Sequence, residues 1–144
     1  MKVNVSHFRY LSDDDFAVLN AMEQLTKKQQ VVPIATIQSV MASHISSGQV
    51  MKIVHELCNI KLIHHADHAK CKGYTMGYGA YDYLAMHELS NQGILLGVGN
   101  QLGVGKESDI FSIMTSTHGE AVMKLHRLGR NRFYVIYRDY LSLS

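Results

Sequence analysis

Apolar residues recur at helical spacing through most of the first 92 positions and in strand-like runs beyond them. Ser12 followed by Asp13, Asp14 and Asp15 marks a helix start. The serine can cap free N–H groups, and the aspartates complement the positive end of the helix dipole. Phe16, Leu19, Met22 and Glu23 then trace one apolar face with a polar rim, and the spacing predicts an end near Thr26-Lys27-Lys28. Pro33 fits the first turn of a second helix, where its missing N–H is harmless. Ile34, Ile37, Val40 and Met41 form that helix's expected inner face. Ser46-Ser47-Gly48 reads as a turn, and a third helix is expected over residues 49–59 with Val50, Ile53, Val54 and Leu57 inward.

Residues 62–65 and 73–76 then suggest two short strands joined by a polar loop. A fourth helix carries Tyr81, Leu84, Ala85 and Leu89, and Gly93 is its natural stop. Three helices, a hairpin and a closing helix make a winged helix. Helix three would be its recognition helix and residues 66–72 its wing. From Gly93 the character changes to β. Ile94, Leu95 and Leu96 lead into glycines, Ile110, Phe111, Ile113 and Met114 form a second strand, and residues 121–125 form a third. Thr117-His118-Gly119 is the turn between the last two.

Composition narrows the class. A hydrophobic fraction of 47% with 18% charged residues suits a packed protein rather than a disordered one. No stretch approaches the roughly 20 apolar residues of a membrane helix, and the N-terminus has no apolar signal region. Cys58 and Cys71 form no CxxC pair and suggest reduced thiols. Net charge is +2, but unevenly placed. Residues 93–144 hold six basic and four acidic residues, whereas the first 92 are balanced.

The chemistry concentrates in GVGNQLGVGKES, residues 97–108. Glycines let a backbone approach phosphate closely, so that bare N–H groups bind its oxygens. A Walker P-loop is excluded, because Gly105-Lys106 is followed by Glu107 and the position five before Gly105 is Asn100. A kinase glycine-rich loop fits better: G-x-G-x-x-G, then an apolar residue two on, then a strand lysine roughly twenty residues later. Gly103 and Gly105 supply the first two glycines, Ser108 stands at the third and Ile110 is the apolar residue. Lys124 lies 21 residues after Gly103.

The segments GNQLGVGKESDIF and MKLHRLGR resemble the RIO family of atypical protein kinases. KVNVSHFRYLSDDDFAVLNAMEQ, VVPIATI and GYTMGYGAYDYLAMHEL are similar to the winged-helix-bearing branch of that family and run in its order. The resemblance implies an α+β chain: a winged-helix domain over residues 1–92, a partial kinase N-lobe sheet over 93–130, and a truncated tail over 131–144. It implies an ATP-binding serine/threonine kinase or ATPase acting on precursor small ribosomal subunits and their RNA during late cytoplasmic maturation, with passage through the nucleus. By matching position, Lys106 and Ser108 would meet the nucleotide phosphates and Lys124 would pair with the α/β-phosphates. Val104 and Ile110 would border the adenine or cover the phosphate site. The family's catalytic and metal-binding aspartates find no counterpart here, so no catalytic or metal residue is assigned. ATP with Mg2+ belongs to the full-length family, and weak or no binding is expected of these residues alone.

Two other clusters invite function. His64, His65, His68 and Cys71 match no closed four-ligand zinc site, and adjacent histidines on a strand face opposite ways. A polar wing is the plainer reading. Helix three would present Gln49, Lys52, His55 and Glu56 outward, fewer cations than a base-reading helix uses. Lys52, Lys61, Lys70 and Lys72 could still touch phosphates by charge alone. That leaves an alternative in which the chain is a non-catalytic adaptor for RNA or the ribosome. Tyr74, Tyr78, Tyr81 and Tyr83 could stack bases or fill the core.

Overall fold

The structure, a computed structural model, describes residues 4–68, 70–104, 108–126 and 133–137. It divides into two units, Tyr10–Leu84 and Met1–Arg9 with Ala85–Ser144, the division falling within a helix. No helix among the described residues is long and apolar enough to cross a membrane.

The first unit holds helices α1 (Asp13–Thr26), α2 (Ile34–Met41) and α3 (Ser47–Asn59), then strands β1 (Ile63–His68) and β2 (Cys71–Met76), and the start of α4 (Tyr78–Asn91). Its α1 cap is reciprocal. The Asp15 N–H donates to Ser12 Oγ at 3.2 Å, and the Ser12 N–H donates to Asp15 Oδ2 at 2.8 Å. This capping box satisfies two otherwise orphan donors. Ser46 and Gln49 make the same box at α3. Ser47 and Gly48, expected in a turn, therefore form the first turn of α3.

Phe16, Leu19, Met22, Ile37, Val50, Val54 and Leu57 are buried where α1, α2 and α3 pack on one another. Val40 departs from expectation: it is 49% exposed. The inner strip of α2 is set by Ile37 and Met41, and at about 100° per residue Val40 falls roughly 80° from its midline. Pro33 also shifts by one position. It is the N-cap of α2, its carbonyl accepting from the N–H groups of Thr36 and Ile37.

β1 and β2 pair antiparallel along their whole length, from Ile63 opposite Met76 to His68 opposite Cys71. The wing expected as a loop over residues 66–72 is thus mostly strand, as far as His68 on one side and from Cys71 on the other. Polar residues with low strand propensity hid this extension, because the hairpin's backbone pairing decides it. Val32, just before α2, bridges to Tyr74 through two backbone hydrogen bonds of 2.9 and 2.8 Å. Gly73 makes that approach possible: a Cβ there would overlap the Val32 carbonyl. Three helices, a hairpin wing and a closing helix confirm the winged helix.

The second unit is a four-stranded antiparallel sheet, ordered β3 (Leu95–Val104), β4 (Ser108–Thr115), β5 (Gly119–His126) and β6 (Phe133–Tyr137). The first three strands are those expected, although the glycine-rich stretch is strand as far as Val104 rather than a turn. β6 lies within the segment read from sequence as a tail. At the β4–β5 turn the buried Thr115 hydroxyl donates to the Gly119 carbonyl at 2.9 Å and accepts from the His118 N–H at 3.1 Å.

Candidate nucleotide-binding face

Strand alternation divides the residues of β4 between two faces. Asp109, Phe111, Ile113 and Thr115 are buried, whereas Ser108, Ile110 and Ser112 are half-buried and Met114 is exposed. β5 continues the division, with Ala121, Met123 and Leu125 on the buried face. The opposite, more open face therefore carries Ser108, Ile110, Ser112, Lys124 and His126, and Val122 shares it although it is itself buried.

The sheet register gathers the residues expected to meet a nucleotide. Gly103 pairs with Ile110, and Ile110 pairs with Lys124. Directly opposed residues on antiparallel strands share a face, with Cβ atoms about 5 Å apart. Lys124 thus stands beside Ile110 on the open face, and the Gly103 backbone crosses the same row. Ser108 stands opposite His126, one pleat along. Among the described residues, nothing requires a glycine at position 103. A Cβ there would sit 3.8 Å from Ile110 Cδ1, an ordinary contact. A bare backbone over an open row is what close approach to a phosphate uses. Gly105 and Lys106 lie outside the described residues. Val104 ends β3 opposite Asp109, with only its backbone described.

Val122, His126, Gln101 and Asp109 were not singled out from sequence. Val122 and His126 flank Lys124 at two-residue spacing. Asp109 is fully buried, and Gln101 Nε2 donates to its Oδ1 at 3.1 Å and to the Gly103 carbonyl at 3.3 Å. Once Phe111 and Ile113 fix the inner face, a strict two-residue period places Asp109 and Thr115 on it as well. That signal was present in the sequence.

The second candidate surface lies on the winged helix. Gln49, Lys52, His55 and Glu56 are exposed on α3, as expected, and Lys61, Lys70 and Lys72 are exposed too. Two of the four lysines have acidic neighbours. Glu56 is four residues from Lys52 on the helix, and Asp67 stands opposite Lys72 in the hairpin. Lys61 and Lys70 are the less compensated cations. The tyrosines divide: Tyr83 is buried, Tyr74 and Tyr81 are half-buried, and Tyr78 is 67% exposed. Tyr74 meets the His65 ring edge-on at 5.4 Å. Burial, with a smaller contribution from Cys58, pushes the Tyr74 phenol up, and burial also pushes the Cys58 thiol up.

Comparison with known proteins places both units. A family model described as Rio2, N-terminal, matches residues 8–92. The serine/threonine-protein kinase RIO2 of Saccharomyces cerevisiae is 40% identical over 146 residues, covering 100% of this chain and 34% of that protein. The Dictyostelium discoideum serine/threonine-protein kinase rio2 is 41% identical over 144 residues, covering 99% and 27%. The chain thus spans about a third of the length of these relatives. The crystal structure of the Rio2 kinase from Chaetomium thermophilum superposes with a TM-score of 0.76 at 36% identity, covering 97% of this chain and 40% of that one. Its ADP/Mg2+–phosphoaspartate complex gives a TM-score of 0.79 at 36% identity, covering 99% and 42%.

Proposed function

This chain belongs to the family of Rio2 N-terminal regions, and on that premise we propose that its sheet is the N-lobe half of an ATP site. In this reading it serves a RIO-type serine/threonine kinase or ATPase that acts in the cytoplasm on the maturing small (40S) ribosomal subunit. The observation that carries the nucleotide reading is the row Gly103, Ile110 and Lys124 across three adjacent strands.

The Lys124 ammonium would neutralise the α/β-phosphates as a point charge on a rigid strand. The bare backbone at Gly103 would admit phosphate oxygens, with Lys106 and Ser108 adding donors. Ile110 would cover the nucleotide from the strand between. Mg2+ would arrive as the nucleotide's counterion and reduce repulsion among its phosphates. No residue of this chain is assigned to hold it.

Titration of Mg·ATP into the 15N-labelled chain tests this. Of the two outcomes open to these residues alone, weak binding and none, a half-site already formed by the sheet requires weak binding: saturable shifts of the Ile110 and Lys124 amides, with a dissociation constant above about 10 μM. Lys124→Met should remove them. Absence of shifts in the unaltered chain, or equal shifts in the variant, would sink the reading.

A second reading rests on the exposed Lys61 and Lys70 and makes the winged helix a contact for RNA of the ribosomal particle. Their charge fits phosphate contact, and the mixed outer face of α3 fits poorly with base readout.

A further inference from the structure

β3 is longer than the strand it pairs with. From Leu95 to Val104 it advances nine positions while β4, from Thr115 to Asp109, advances six. The surplus is taken up at three register shifts: between Leu95 and Gly97, between Val98 and Gln101, and between Gln101 and Gly103. Each bulge bends the strand, increases its twist and re-aims the residues beyond it. The position of the Gly103 backbone is therefore set by the shape of these bulges.

Two of the three bulges carry a side-chain tie. At the middle one, Ser112 Oγ donates to the Asn100 carbonyl at 3.3 Å. At the last, Gln101 Nε2 donates to both the Gly103 carbonyl and the Asp109 carboxylate. Asp109 is a strong anchor for such a tie. It is fully buried on β4, and among the described residues no buried side-chain polar atom lacks a hydrogen-bond partner. A bond to a buried carboxylate is stronger than a neutral one and is costly to leave unmade.

We propose that Gln101 is a positioning residue for nucleotide binding, a latch that ties the Gly103 carbonyl to the Asp109 carboxylate and holds the last bulge of β3 in one shape. The proposal rests on the nucleotide reading of the open face. Gln101 itself shares the buried face, opposite Phe111, so it acts through the backbone rather than by touching phosphate.

Two variants of the whole chain separate the latch from the site. Gln101→Leu keeps the volume and removes both donors. Asp109→Asn keeps an acceptor oxygen of the same shape and so preserves the tie. Without nucleotide, hydrogen exchange of the Leu102–Val104 amides in Gln101→Leu should quicken about fivefold, the factor for one lost hydrogen bond. Exchange at Ile113–Thr115 should stay unchanged. With Mg·ATP, the dissociation constant of Gln101→Leu should rise about fivefold or more, and that of Asp109→Asn should stay within about twofold. Unchanged exchange in Gln101→Leu would remove the latch. Faster exchange with unchanged ATP affinity would show a tie that does not position the nucleotide. Equal losses in both variants would replace the latch with a simple need for the carboxylate charge. A chain that binds no Mg·ATP would overturn the nucleotide reading, and with it the positioning role, while the exchange result still decides whether the tie exists.

Discussion

At the end of α3, the Leu62 N–H donates to the Leu57 carbonyl and the Lys61 N–H donates to the Cys58 carbonyl, both at 3.0 Å. At the end of α4, Ile94 and Gly93 make the matching bonds to Leu89 and Ser90. These are paired Schellman closures, and each places one residue in the left-handed region, Lys61 at φ 64° and Gly93 at φ 76°. Lysine suffers there from its Cβ, whereas glycine does not. Lys61→Gly should therefore stabilise the chain by about 1 kcal/mol, and Gly93→Ala should destabilise it by a similar amount. Urea denaturation midpoints would read both, and a destabilised Lys61→Gly would refute the strain argument. Gly93 was legible as a helix stop because the residue type advertises the geometry. Lys61 was not, because lysine gives no such sign and the closure depends on which carbonyls the helix leaves open.

Elements with local signals were legible, and elements defined by their partners were not. Capping residues and apolar spacing placed α1 and α3 within two residues of their observed starts. The strands were harder. Glycines that look like a loop continue β3 to Val104, because β4 supplies the pairing groups that the sequence of β3 does not announce. The hairpin shows the same dependence on a partner through Gly73, whose missing side chain admits the Val32 backbone. Gly73→Ala would force Val32 away from Tyr74 and break two backbone hydrogen bonds. A loss of about 2–3 kcal/mol is expected, in the range of overpacked buried sites. Circular dichroism melting would measure it, and a variant as stable as the parent would show that the bridge yields without cost.

Across the whole molecule, the two candidate surfaces belong to different units: Lys61, Lys70 and Lys72 to Tyr10–Leu84, and Lys124 to the other. Effects at sites that share no partners add independently. Charge reversal at Lys70 and Lys72 should weaken binding to structured RNA and lower its salt slope by about 1 to 2, while the Mg·ATP titration stays unchanged. Lys124→Met should do the opposite. Gel shifts at two salt concentrations and the amide titration give both halves, and cross-effects in either variant would join the surfaces into one. The bulges of β3 also bear on how the sequence tolerates changes in length. Removing one residue from a regular strand sends every later side chain to the wrong face. Removing one at a bulge deletes the unpaired surplus and leaves the register beyond it intact. Deletion of Asn100 should thus be absorbed, while deletion of Gln101, which also removes the tie to Asp109, should not, so the middle bulge of β3 holds a position that length variation can take and, beside it, one that it cannot.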